Sequence, residues 1–452
     1  MKYHICVILF SIMVINAYAQ KSIVASTPPM GWNSYDCFGA TVNEEEVKSN
    51  ADMMNIYFKD YGWEYVVVDY CWYYPHPGAM GNPSQTQDFK PRLSMDKYGR
   101  LIPASDRFPS SSGGNGFKPL ATYVHNLGLK FGIHVMRGIP RQAVADNTII
   151  QNSKYRASDI VDKMDTCTWL NLMYGIDCSK KGAQEYYNSI INLYASWGVD
   201  YIKVDDVSKP YQKEEIEVIR KAIDQCDRPI VLSLSPGSTP IEYADHVRKY
   251  ANLWRISEDF WDNWESLKEQ FANIELWAPY ITSNHWPDAD MLPVGRLARR
   301  GPEGKMEHQT NLSHDEQYTL LTLWSIIRSP LMIGGDLTFI DHFTLDLLTN
   351  CEVLSVNQRS TNNRLLFHRG NHVAWIADAP DSDSKYLAVF NTGEDVETPI
   401  CVLLEDVEIQ VNCRIRDLWN HKDLGTFNKE FLPLITAHGA GLYKISPQTN
   451  KK

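Results

Sequence analysis

The chain has 452 residues, is 44% hydrophobic and 12% aromatic, and carries a net charge of −11 at pH 7, which is enough apolar material for one large core and a smaller second one. The acidic balance, with a pI near 5.6, speaks against nucleic acid or an anionic polymer as partner and favours a neutral ligand. Thirteen Trp and 24 Tyr supply flat amphipathic rings that suit stacking on sugars, although most aromatics in any enzyme are core.

At the start, Lys2, an apolar run from Ile5 to Ile15 and the tripeptide Ala17-Tyr18-Ala19 give residues 1–19 the form of a cleavable export signal. A periplasmic or extracellular protein is therefore expected. The run is too short to span a bilayer, and no later stretch approaches ~20 consecutive apolar residues, so membrane insertion is not expected. Cys6 lies inside the run, which argues against lipid attachment. Eight of the nine cysteines lie beyond this segment, scattered and without the paired CxxC spacing of a structural zinc site, so neither a metal nor another cofactor is implied.

From Ser26 onward short apolar runs alternate with amphipathic stretches. The runs that read as strands are Met30 to Ser34, Tyr65 to Asp69, Phe131 to Met136, Tyr201 to Asp205, Ile230 to Ser235, Leu253 to Ser257, a poorly defined one near Ile281 to His285, and Pro330 to Gly334. Helix starts are signalled between them. Thr41-Val42-Asn43-Glu44 has the spacing of a capping box, Asp262 to Glu265 repeats it with Asp as cap, and Ser313 precedes Asp315 and Glu316. Strand-then-helix units repeated in this way predict a (β/α)₈ barrel over residues 26–355. After Gln358 the pattern changes to alternating runs such as Val373 to Ile376, Tyr386 to Phe390 and Gly441 to Ile445, divided by Asp-, Gly- and Asn-containing turns. That predicts a small antiparallel β domain, a sandwich over residues 359–448.

The fourth strand, Tyr201-Ile202-Lys203-Val204-Asp205, ends in an acidic pair with Asp206. Residues two apart in a strand point the same way, so Lys203 and Asp205 share a face. A cation beside a carboxylate keeps the acid ionised, which suits a nucleophile; a salt-bridged strand end would carry the same residues. In such a barrel chemistry belongs at the C-terminal ends of strands. The polar residues there are Tyr35, Asp69, Tyr70, Trp72, His134, Arg137, Lys203, Asp205, Ser235, Arg255, Asp259, Asp288 and Asp290. Many acids and aromatics, without a thiol, a Ser/His couple or a phosphate loop, make glycoside hydrolysis the leading chemistry, because that reaction needs two carboxyl groups flanking one bond.

Met30-Gly31-Trp32-Asn33-Ser34, Val68-Asp69-Tyr70-Cys71-Trp72, Lys203-Val204-Asp205, Trp254-Arg255 with Asp259 four residues on, and Asp288-Ala289-Asp290-Met291-Leu292 together resemble glycoside hydrolase family 27, the α-galactosidase family, in a divergent bacterial-type form. The resemblance runs in order from Pro28 to about Gln358, and implies a (β/α)₈ catalytic domain followed by an antiparallel β domain. It implies Asp205 as the nucleophile, Lys203 beside it on the sugar, and Asp259 as the acid/base of a retaining exo-glycosidase. It further implies Arg255, Asp69, Asp290, Trp32 and Tyr35 as pocket residues around a terminal sugar of an oligo- or polysaccharide. Trp72 and Ser235 belong with them. His134 and Arg137 are as readily buried structural partners as ligands.

The departures fall on sugar recognition. Where galactosidases of the family carry two adjacent Asp residues, this chain has Asp69-Tyr70, and Ser235 stands where they usually have Glu and N-acetylgalactosaminidases have Ser. An α-galactosidase is the leading expectation. A β-L-arabinopyranoside, which is galactose without its hydroxymethyl arm, or an α-N-acetylgalactosaminide could be the substrate instead, and a glycan-binding protein without activity is a further alternative. The resemblance also implies a Cys37–Cys71 disulfide joining the first two strand ends, and Cys167 and Cys178 are candidates for a local bridge.

Overall fold

A computed structural model describes residues 24–77, 92–301, 305–380, 382–394 and 397–448; the leader expected at 1–19 lies outside them. Eight parallel strands form a ring: β1 (Met30–Asn33), β2 (Tyr65–Val68), β3 (Lys130–Met136), β4 (Tyr201–Asp205), β5 (Val231–Leu234), β6 (Leu253–Arg255), β7 (Trp286–Asp288) and β8 (Leu331–Ile333). Neighbours follow chain order, and β8 returns to pair with β1, Met30 lying opposite Leu331. Leu292, just past β7, completes the ring: its N–H donates to Met332 O (2.7 Å) and its O accepts from Gly334 N (2.9 Å). This is the expected (β/α)₈ barrel. Gly31 is required where β1 meets β2, since a Cβ there would lie 2.3 Å from Tyr65 O.

Three local expectations shift. The seventh strand begins later than the 281–285 region, because Thr282 and His285 close a turn on each other (Thr282 N to His285 O 3.3 Å, His285 N to Thr282 O 3.0 Å) with Asn284 at φ 70°. The first box sits two residues later than expected. Glu46 N donates to Asn43 Oδ1 (3.1 Å) and Asn43 N to Glu46 Oε2 (3.0 Å), capping the helix Glu44–Tyr57. The cap of Trp264–Trp277 is Asn263, not Asp262; Asp262 pairs with His308 Nε2 (2.9 Å) and accepts from Asn311 N (2.8 Å). The Ser313 start stands, with Glu316 closing the box.

Strand alternation then decides where chemistry is possible. Tyr65, Val67, Tyr201, Val231, Leu253, Met291 and Met332 pack into one apolar cluster inside the barrel. One step further along the same faces come Asp69, Lys203, Asp205 and Arg255, so the polar residues gather above an apolar plug at the C-terminal rim.

The second domain is a six-stranded antiparallel sheet of β9 (Thr361–Arg369), β10 (His372–Asp378), β11 (Lys385–Asn391), β12 (Cys413–Asp417), β13 (Lys422–Phe427) and β14 (Ala440–Pro447), in the order 9-10-11-14-12-13. Ala374, Ile376, Leu387 and Val389 on one face meet Val402, Phe431 and Ile435 from two short strand pairs and Ile400 from the link between them, which gives the sandwich its own core. His438, between the domains, stacks on Trp264 (centroids 3.8 Å apart), and its O accepts from Thr319 Oγ1 at 2.6 Å.

The bridges expected at Cys37–Cys71 and Cys167–Cys178 are absent: all eight described cysteines are free. Cys37 Sγ is directed to Arg296 O (3.9 Å) and Cys71 Sγ to the Tyr73 hydroxyl (3.8 Å), so the buried thiols are committed to different neighbours. Among the described residues no helix is long and apolar enough to cross a membrane, and no group of His, Cys, Asp and Glu could hold a metal ion.

Candidate active site

A cavity of about 260 Å³ opens at the C-terminal rim of the barrel. Of the residues singled out from sequence, Tyr35, Asp69, Tyr70, Lys203, Asp205, Ser235, Arg255, Asp259 and Asp290 line it. Trp32, Trp72, His134 and Arg137 do not. Trp32 and Trp72 are fully buried, their indole N–H groups donating to Gly335 O (2.8 Å) and His134 O (2.6 Å). They are walls behind the site. His134 lies under Asp205, its Nε2 2.9 Å from Asp205 Oδ2. Arg137 is turned away altogether and binds Asp165 (2.7 Å), Asp206 (3.0 Å) and Glu215 (3.2 Å). Its guanidinium answers three carboxylates, which leaves nothing to offer a sugar.

The floor is built from β2 and β4. Lys203 Nζ donates to Asp69 Oδ2 at 3.1 Å, Asn33 Nδ2 donates to the same oxygen at 2.6 Å, and Tyr70 N donates to Asp69 Oδ1 at 2.8 Å. Burial pushes the Asp69 carboxyl up, but Lys203, His134 and these hydrogen bonds outweigh it and hold it at about 2. Burial likewise works against the Lys203 ammonium, yet Asp69, Asp205 and Asp290 raise its pKa, so both partners are charged. Asp206, next in sequence, sits at φ 65° and turns away to Arg137, with burial lifting it to about 6. That geometry leaves Asp205, not Asp206, on the cavity.

The opposite wall comes from β6, β7 and the segments after them. Arg255 binds Asp290 (2.8 Å) and Asp259 (3.3 Å) and anchors the turn between them by donating to Glu258 O at 2.6 Å. Burial raises Asp290 to about 6 in spite of Arg255, with Asp259 adding to the rise. The Asp259 side chain is 43% exposed, which places it at the mouth, while Asp205 is 10% exposed at the base. One carboxylate is thus deep and one is within reach of water.

Four buried polar atoms on the cavity residues have no hydrogen-bond partner among the described residues: Asp36 Oδ2, Asp205 Oδ1, Ser235 Oγ and Arg255 Nε. Buried polar groups are normally satisfied, so their clustering around one space marks where a polyhydroxylated ligand would complete them. The sequence reading missed Asp36, Trp169 and Trp261, which also line the cavity. Trp169 arrives from the insertion between β3 and the helix Ala183–Trp197, where no strand end signals it. Asp36 could have been found, being an acid directly after Tyr35 in an otherwise apolar Tyr-Asp-Cys-Phe turn.

Carboxylates at the base and at the mouth of one cavity, on the C-terminal rim of a (β/α)₈ barrel, define a glycoside hydrolase. Comparison narrows this. Residues 175–359 match the family model described as Alpha galactosidase A, and residues 369–445 match its C-terminal beta sandwich domain. A GH27 β-L-arabinopyranosidase structure from Geobacillus stearothermophilus is 49% identical, with a TM-score of 0.91, covering 95% of this chain and 98% of its own. The α-galactosidase of Coffea arabica is 28% identical over 95% of this chain and 98% of its own length. The α-N-acetylgalactosaminidase of Rattus norvegicus is 26% identical over 88% and 85%. The chain belongs to glycoside hydrolase family 27.

Proposed function

We propose that the protein is a retaining exo-glycosidase that releases terminal β-L-arabinopyranose from a glycan. Asp205 attacks the anomeric carbon and forms the covalent glycosyl-enzyme while Asp259 gives its proton to the departing oxygen. Asp259 then takes a proton from water, the water oxygen bonds to the anomeric carbon, and Asp205 leaves, so the configuration is retained. His134 holds Oδ2 of Asp205 and leaves Oδ1 to react. Lys203, Asp69, Arg255 and Asp290 bind ring hydroxyls, and Tyr35 packs on the sugar.

The observation that carries the choice of sugar is Tyr70. Its ring, 6% exposed, packs edge-on against Tyr35 (6.0 Å) and His134 (5.7 Å) and lies 6.0 Å from Trp169. An aromatic wall stands where the resemblance implies an acid that holds galactose hydroxyls, and a site without that acceptor discriminates against the sugar needing it. β-L-Arabinopyranose keeps the ring hydroxyls of galactose and lacks the hydroxymethyl arm. The 49% identity to a β-L-arabinopyranosidase supports the same reading. An α-galactoside is the second reading, favoured by the α-galactosidase family model.

Release of 4-nitrophenol from the β-L-arabinopyranoside, α-D-galactopyranoside and α-N-acetylgalactosaminide tests this. The arabinopyranoside is expected to give the highest kcat/KM; a higher value for either of the others would refute the choice of sugar. Export through residues 1–19 completes the proposal, since such a substrate is met outside the cell; N-terminal sequencing of the mature protein tests it, and an intact Met1 or Lys2 would refute it.

A further inference from the structure

Asp36 takes no part in the double displacement at Asp205 and Asp259. It follows β1 in the short turn Tyr35–Phe38, is 4% exposed and lines the cavity. Its Oδ2 has no hydrogen-bond partner among the described residues. The surroundings are shaped to hold it: a Cβ on Gly334 would lie 2.1 Å from Oδ2, and Ala298 N donates to Asp36 O at 3.0 Å, fixing the backbone. A carboxyl oxygen kept without a hydrogen-bond partner in a shaped recess loses its hydration with no replacement hydrogen bond from the described residues. A group held at that cost, on the wall of a ligand cavity, is a candidate for contact with the ligand itself.

We propose that Asp36 hydrogen-bonds a hydroxyl of the sugar bound in this cavity and so helps to determine which pyranoside the site accepts. The inference rests on the glycosidase reading and extends it. Burial first, and then the Asp290 charge, raises the Asp36 carboxyl well above the ordinary range. In its neutral form it carries one donor and retains acceptor capacity, so it can serve a hydroxyl in either direction. The charged pair Asp69–Lys203 offers the sugar a carboxylate and an ammonium; Asp36 adds a further carboxyl from the turn after β1.

The test compares wild type, Asp36→Asn and Asp36→Ala, each as the full chain. kcat/KM is measured on whichever nitrophenyl glycoside the wild type turns over best, affinity for the corresponding free sugar by calorimetry, and the melting temperature alongside. Asp36→Ala is expected to lower kcat/KM and sugar affinity by roughly 10–100-fold, the scale of a lost hydroxyl contact, without lowering the melting temperature. Asp36→Asn, which keeps a donor and an acceptor, recovers most of the loss. Values for Asp36→Ala within twofold of wild type would overturn the proposal. So would a loss accompanied by a lower melting temperature and not relieved by Asn, because that is a structural role. If the wild type prefers the galactoside, the choice of arabinose fails while Asp36 is still judged on the sugar actually used.

Discussion

Replacing Lys203 by Met separates the electrostatic account of the cavity floor from a packing one. In the folded protein Asp69 is held at about 2 against its ordinary 3.8, in spite of burial. That gap is worth about 2.4 kcal/mol. Lys203, 3.1 Å away, is the largest of the influences that lower it, and breaking a buried pair from one side costs about 3–5 kcal/mol. Lys203→Met should therefore unfold at pH 7 with a deficit of about 3 kcal/mol, read by urea denaturation followed through tryptophan fluorescence. The sign with pH follows from linkage. A depressed carboxyl pKa gives stability that is fully present above 3.8 and is lost as pH falls toward 2. In the variant, burial is opposed only by His134 and the Asn33 and Tyr70 hydrogen bonds, so the Asp69 proton returns at a higher pH than in wild type and relieves the unpaired charge. The deficit should shrink steadily as pH is lowered from 7 to 3. No deficit at pH 7, or one that does not change with pH, would refute the reasoning.

Other perturbations follow from the same geometry. Arg137→Met, which leaves Asp165, Asp206 and Glu215 facing one another, should cost about 3–5 kcal/mol in urea unfolding; a loss under 1 kcal/mol would contradict the ion cluster. Asp206 and Asp290 are both raised to about 6, so the folded state binds protons that the unfolded chain has released between about pH 4 and 6. The melting temperature should accordingly be higher at pH 5 than at pH 7, and the reverse order would count against those raised values. Tyr70→Asp restores a carboxylate at the wall and should move the ratio of α-galactoside to β-L-arabinopyranoside kcat/KM upward by roughly tenfold or more; an unchanged ratio would remove Tyr70 from sugar selection. Alkylation in denaturant without reductant should modify both Cys37 and Cys71, and a mass showing them joined would contradict their free state.

The parts of the fold visible in the sequence were those set by short-range periodicity. Alternation along Tyr201-Ile202-Lys203-Val204-Asp205 puts Lys203 and Asp205 on one face, and the barrel interior uses that face. Asp205 and Asp206 could be told apart because only one of them continues the alternation; the left-handed φ of Asp206 then carries it to Arg137. Helix caps slipped by one or two positions because Thr, Asn and Asp compete for the same role, and tertiary partners decide between them: Asp262 is taken by His308 and Asn311. His134 and Arg137 sit three residues apart on β3 and just beyond it, yet of the two side chains only His134 reaches the Asp205 carboxylate, since where a strand-end side chain points depends on which carboxylates surround it. The disulfide implied by resemblance failed for a similar reason, as each thiol is directed at its own neighbour. Trp169 and Asp36 were hidden because an insertion and a one-turn helix have no periodicity to betray which side chain faces the cavity.

The central claim is that Asp205 is the nucleophile of a retaining glycosidase that acts on a β-L-arabinopyranoside. Incubation with 2,4-dinitrophenyl 2-deoxy-2-fluoro-β-L-arabinopyranoside, followed by proteolysis and peptide mass analysis, tests it most directly, since the fluorine slows release of the covalent intermediate. A 2-fluoro-arabinosyl label on Asp205, formed with loss of activity, is the result predicted. Turnover of the arabinopyranoside with the label on another residue, or with no label at all, would contradict it.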